Sequence, residues 1–144
     1  MKITTEKELR AKLIKTLEGL KVPCARIEPA PHINDMNGLP DLVIWRAGAT
    51  VWVELKYTES ALLEIGQIEK LLGKKQLLWH KTIGSFVGGW IAVYDAKTNA
   101  LYAVPSAALN EHPKNRLQFQ YVGDEMMTSL AMLLSGKRTG YSSV

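Results

Sequence analysis

Two short runs decide how this chain reads: Gly38-Leu39-Pro40-Asp41-Leu42-Val43-Ile44-Trp45 and, past Ala47-Gly48-Ala49, Thr50-Val51-Trp52-Val53-Glu54-Leu55-Lys56-Tyr57. Both are rich in β-branched and aromatic residues, and a turn centred on glycine separates them, so together they predict a β-hairpin. Successive side chains of a strand point to opposite faces. Val51, Val53, Leu55 and Tyr57 then make one apolar face, while Trp52, Glu54 and Lys56 share the other. A carboxylate and an ammonium thus stand on a strand whose reverse side is anchored in a core. Asp41 opens the neighbouring strand, where cross-strand pairing brings it toward Glu54. Two carboxylates converging in this way repel each other unless a hard cation neutralises them. Mg²⁺ takes such oxygen ligands, often together with substrate phosphates. Lys56 would then lie where an ammonium can stabilise charge on an attacked phosphate.

Outward from the hairpin, Leu9, Leu13, Ile14, Leu17 and Leu20 recur at helical spacing. They predict a helix over 4–20, with Thr4 or Thr5 as its cap and Glu6 and Glu8 in a first turn that favours negative charge. Glu6 falls three before Leu9 and seven before Leu13, on the inward stripe, and Glu8 falls off it. Residues 24–28 predict a short strand holding Cys24, and 29–40, with three prolines, a loop. Helices are expected over 60–72, with Gly66 a weak point, and over 74–83. Strands are expected over 90–94 and 101–104 about a turn at 95–99, then a strand over 117–122 and a helix over 124–134. This order predicts an α/β fold, a mixed β-sheet flanked by helices. The whole chain, 1–144, reads as one domain, since 144 residues bury about two thirds of their unfolded surface.

Composition excludes several classes. Charged residues at 22% and hydrophobic ones at 47% exclude a disordered chain. No apolar run is long enough for a membrane span, and the charged start lacks the apolar stretch of a signal peptide. One cysteine excludes an intrachain disulfide or a multi-cysteine zinc site, so a cytosolic setting is expected. Eighteen basic residues against fourteen acidic ones lean toward an anionic partner. The acidic residues Glu28, Asp35, Asp41, Glu54 and Glu59 gather in the middle of the chain, between basic stretches. Gly66 and Gly73-Lys74 have the wrong spacing for a phosphate loop, and no zincin, nucleophile-elbow or dinucleotide-binding pattern is present.

Pro40-Asp41 followed by Glu54-x-Lys56 resembles the PD-(D/E)XK nuclease superfamily, with its restriction-endonuclease-like core. Gly38-x-Pro40-Asp41 with Val53-Glu54-Leu55-Lys56 is similar to its VRR-NUC branch and to small Holliday-junction resolvases. Glu6-x-x-Leu9-x-x-x-Leu13 also fits, as does Gln76-Leu-Leu-Trp79-His80 followed by Gly84 and the strand 90–94. The resemblance covers about residues 4–95 and leaves 105–144 as an extension. It implies a DNA endonuclease, structure-specific on branched DNA, that hydrolyses phosphodiester bonds with Mg²⁺, Mn²⁺ substituting. It implies Asp41, Glu54, the Leu55 carbonyl and Glu6 as metal ligands, and Lys56 and Gln76 as further catalytic residues, with Gln67 a competing choice for the glutamine.

Lys74, Lys75, Lys81, Asn37 and Gly38 are the expected DNA contacts, although lysines on a helix also serve as a solvated face. Trp45, Trp52, Trp79 and Trp90 fit a core or an interface better than base stacking. His32, His80 and His112 are scattered and read as bystanders. A homodimer is expected, because resolving a four-way junction takes two symmetric cuts. Its interface is expected on the apolar terminal helix, Met126 to Leu134, or around Ala47 to Ala49. The rival expectation is a non-catalytic nucleic-acid-binding module that keeps the fold.

Overall fold

In the computed structural model, residues 2–28 and 38–136 are described; Asn37 and His32 lie outside them. Six strands form one sheet in the order of the sequence: β1 (Cys24–Arg26), β2 (Leu42–Arg46), β3 (Ala49–Thr58), β4 (Gly89–Asp95), β5 (Ala100–Pro105) and β6 (Phe119–Val122). Every neighbouring pair is antiparallel except β3 and β4, which run parallel. A parallel pair needs a crossover. Here it carries α2 (Ile65–Leu71), α3 (Lys74–Trp79), a π-helical turn (His80–Gly84) and the short α4 (Ser85–Val87).

The predicted hairpin forms with Leu42 opposite Val53 and Ile44 opposite Val51. Gly48 closes its tip at φ +75°, a left-handed conformation that glycine adopts without strain. One face of the sheet is covered by α1 (Glu6–Gly19) and α5 (Met126–Ser135). Leu9, Leu13 and Leu17 pack there with Leu42, Val53, Leu55, Leu130 and Leu134 in the larger core. The other face lies under the crossover, where Leu62, Ile65, Ile68 and Leu72 pack against Ile91, Val93, Tyr102 and Val104. Among the described residues, no helix is long and apolar enough to cross a membrane.

Three elements differ from expectation. The helix expected from residue 60 begins at Ile65, because the Gln67 side chain accepts from the N–H groups of Leu63 and Glu64 and ends the extended segment there. Pro113 and Asn115 carbonyls accept from Gly66 and Ile65, and a Cβ on Gly66 would lie 3.2 Å from the Pro113 oxygen. The helix expected over 74–83 passes at His80 into the π-helical turn. Finally, α5 has no spare apolar face. Met126, Met127, Leu130, Ala131 and Leu134 are all buried against the sheet and α1, so the stretch beyond 105 completes the core and the terminal helix presents no apolar dimer surface.

Candidate active site

Strand alternation puts Asp41, Glu54 and Lys56 on the crossover face, one residue out of phase with Leu42, Val53 and Leu55 in the opposite core. Asp41 is fixed by its backbone and its side chain together. Its N–H donates to the Val53 carbonyl (3.0 Å), its carbonyl accepts from Ile27 N–H (2.8 Å), and its Oδ2 accepts from Leu55 N–H (2.8 Å). β2 begins at Leu42, so no strand residue remains to pair with Leu55 on that side, and an aspartate takes the place. The N–H and C=O of a residue in an antiparallel strand turn to the same edge, so the Leu55 carbonyl turns toward Asp41 as well.

Glu54 is 1% exposed, an unusual place for a carboxylate. Gln76 Nε2 donates to its Oε2 (3.2 Å), while Gln76 Oε1 accepts from Gly73 N–H (3.1 Å), so one amide caps α3 and holds Glu54. Gln67 is occupied in capping α2 and donates to the Ala61 carbonyl, away from the carboxylates. Burial, then the hydrogen bond and charge of Asp41, push the Glu54 carboxyl up to about 9; Lys56 draws it down and Glu6 adds to the rise. At neutral pH the pair therefore holds a proton between its carboxylates unless a cation takes its place.

A divalent ion answers that need. The donors are all oxygen, as a hard cation requires, and Glu54 Oε1 is buried without a hydrogen-bond partner. Asp41, Glu54 and the Leu55 carbonyl are the groups that could hold such an ion. Glu6 does not join them as a ligand. It stands exposed on the first turn of α1, which packs on the opposite face, and no three ligand side chains cluster among the described residues. The buried stripe of α1 starts at Leu9, so Glu6 acts on Glu54 through its charge alone. Glu8 is occupied locally, its Oε2 accepting from Thr4 N–H and Oγ1.

The expected DNA contacts separate. Lys74 and Lys75 are exposed at the start of α3. Gly38 is buried against them, and a Cβ there would lie 2.8 Å from the Lys75 carbonyl oxygen, so the loop before Asp41 reaches α3 only through a glycine. Lys81 is half-buried, its Nζ 3.7 Å from Glu69 Oε1, which diverts it from a bound backbone. Trp79 is buried with its ring centroid 6.1 Å from that of Trp52, and both brace the site from within the fold.

One site residue was missed from the sequence. His80 is fully buried, with Nε2 3.9 Å from Glu54 Oε1 and Nδ1 2.6 Å from Ser106 Oγ. Burial pushes its imidazole down to about 4, Asp41 pulling it up and Lys56 pressing it further down, so the ring is neutral at physiological pH. The available signal was spacing: His80 lies four residues after Gln76, on the same side of a helix.

No protein-family model matches the chain, and no curated protein sequence matches it. Its fold is similar to that of Hjc from Archaeoglobus fulgidus, a Holliday junction resolvase from an archaeal hyperthermophile. The two superpose with a TM-score of 0.52 over 86% of this chain and 92% of the resolvase, at 17% identity. The α/β architecture expected from the hairpin motif is therefore the one present: a restriction-endonuclease-like fold of the PD-(D/E)XK nuclease type, with a mixed sheet flanked by helices.

Proposed function

We propose that the chain is a Mg²⁺-dependent endonuclease that hydrolyses phosphodiester bonds in DNA and acts on branched DNA as a homodimer in the cytosol. The observation that carries this reading is the buried Asp41–Glu54 pair, fixed by Leu55 N–H and Gln76 and flanked by Lys56. A module that only binds DNA gains nothing from two buried carboxylates facing a polyanion. Mg²⁺, or Mn²⁺ in its place, held by Asp41, Glu54 and the Leu55 carbonyl, would polarise the phosphate and acidify a water. Lys56 offers a positive charge on the same face, where it stabilises the charge that develops on the phosphoryl oxygens. Gln76 holds Glu54 so that its carboxylate does not turn away when the proton leaves. Lys74 and Lys75 supply exposed charge for the backbone of the bound strand.

A homodimer would bury the hairpin end of the sheet. There Trp45, Phe86 and Val87 are exposed, Phe86 to 90%, and Trp52 N–H donates to the Gly88 carbonyl beside them. The test offers linear, single-stranded, flapped and four-way DNA to the purified chain with Mg²⁺, with Mn²⁺ and with excess EDTA, beside Asp41→Ala. Paired nicks on opposing strands of the junction are expected from the wild type with either metal, and none with EDTA or from Asp41→Ala. Unchanged cleavage in EDTA, or near-normal cleavage by Asp41→Ala, would sink the reading.

A further inference from the structure

Glu54 Oε1 and His80 Nε2 are the buried side-chain polar atoms without a hydrogen-bond partner among the described residues, and they face each other. Orphaned buried polar atoms are uncommon, and two that meet point to a contact completed in another state of the site. We propose that His80, braced by Ser106, is a positioning residue for Glu54: its Nε2–H holds Oε1 when the carboxylate is ionised. The proposal rests on the metal-dependent reading above.

Four observations support it. Ser106 is fully buried, and its bond to His80 Nδ1 is short, at 2.6 Å. If the serine hydroxyl donates to Nδ1, Nε2 carries the ring proton and aims it at Oε1. The opposite tautomer leaves the serine proton unspent in the interior and sets a ring lone pair against a carboxylate, so it is disfavoured twice over. The slot that admits Ser106 is lined by glycines. A Cβ on Gly84 would lie 2.8 Å from both Ser106 Oγ and Trp79 Cζ3, and one on Gly89 would overlap Ser106 Oγ. Lastly, His80 opens the π-helical turn, a distortion found mainly at functional sites.

The 3.9 Å gap closes with a shift of about 1 Å, in keeping with polar contacts at active sites that tighten only in the loaded complex. Each carboxylate oxygen has two lone pairs. With Gln76 on Oε2 and His80 on Oε1, the Glu54 plane is held from both ends, and one lone pair on each oxygen is left for Asp41's side.

Two measurements on the full chain test this. Ring-nitrogen NMR should show His80 protonated at Nε2 and bare at Nδ1, with that preference lost in Ser106→Ala. A ring protonated at Nδ1 overturns the proposal, whether or not metal binds. Calorimetric titration with Mn²⁺, without nucleic acid, should show affinity falling about tenfold or more in His80→Phe. His80→Gln restores an N–H near the place of Nε2 and should stay within about threefold of the wild type. His80→Phe binding Mn²⁺ as tightly as the wild type overturns the proposal. If His80→Phe does not fold, Ser106→Ala takes its place in the titration, with loss of affinity expected. A wild-type chain that takes up no Mn²⁺ refutes the metal reading instead, and the ring tautomer then decides the positioning role.

Discussion

The two faces of the sheet solve different problems with the same strand. On the α1–α5 face, Val51, Val53 and Leu55 meet Leu9, Leu13, Leu17 and Leu130, and no charged side chain is buried among them. On the crossover face, the alternating positions of β3 carry Trp52, Glu54 and Lys56. Here a carboxylate, an imidazole and a serine are buried beside apolar residues. The first face follows from apolar burial alone. The second buries groups that water would stabilise better, a cost a fold bears where function requires it. Stability and chemistry are thus divided between the even and odd positions of one ten-residue strand.

Substitutions can break that division or sharpen it. The largest effect should come from Lys56→Ala on the chemical face: turnover on DNA should fall about 10²- to 10³-fold while the circular dichroism spectrum is unchanged. Equal losses of stability and activity would mean that the two faces are not separable. Next, Leu13→Ala on the opposite face should cost about 2–5 kcal/mol in denaturant unfolding, and leave cleavage per folded molecule near that of the wild type.

A smaller effect should appear in the metal-free protein as pH changes. The folded Glu54 carboxyl stands at about 9, above its ordinary 4.5, so its protonated form favours the fold. That contribution is whole below about 4.5 and is lost as pH rises toward 9. The His80 imidazole is depressed from 6.5 to about 4, and it acts in the other direction, adding stability as pH rises across that range. Above pH 6.5 the Glu54 slope therefore stands alone. Glu54→Gln should remove it and raise Tm by roughly 5 °C at pH 8 without metal, measured by calorimetry. A Tm unchanged by the substitution would show that the carboxylate pair carries no such cost. Smallest of all, Glu6→Gln should lower activity about tenfold through its charge on Glu54, whereas Glu8→Gln, tied to Thr4, should leave it nearly unchanged. Equal, mild effects would place both carboxylates in the service of the helix dipole.

Much of the chemical face was legible in the sequence because strand alternation is a strict rule. The positions of Asp41, Glu54 and Lys56 follow from a period of two and a turn at Gly48. The distinction between Gln76 and Gln67 was not legible. Both are three residues into a helix and both cap it, and only the packing of α3 onto β3 brings Gln76 to Glu54. Glu6 was misplaced because a stripe read from Leu9 and Leu13 extends too far back: the first turn of α1 projects past the sheet, and its carboxylate stays in water. Ser106 left no trace in the sequence. It sits on a 3₁₀ turn after β5, in a stretch without a motif, and its partner His80 depends on a change in helical hydrogen bonding that no side-chain periodicity records.

The single parallel pairing also sets an order in time. Antiparallel neighbours close over short turns, as at Gly48 and at Asp95–Asn99, while β3 meets β4 only after the chain from Thr58 to Gly89 has looped back. Closing the longer loop costs more entropy and comes later. Gln76 and His80 travel on that loop. A chain still folding can therefore form its first hairpin with Asp41 and Glu54 open to water, each ionised and harmless. The carboxylates are enclosed only when the crossover docks and brings their hydrogen-bonding partners with it. The moment that completes the fold is the moment that creates the need for a cation.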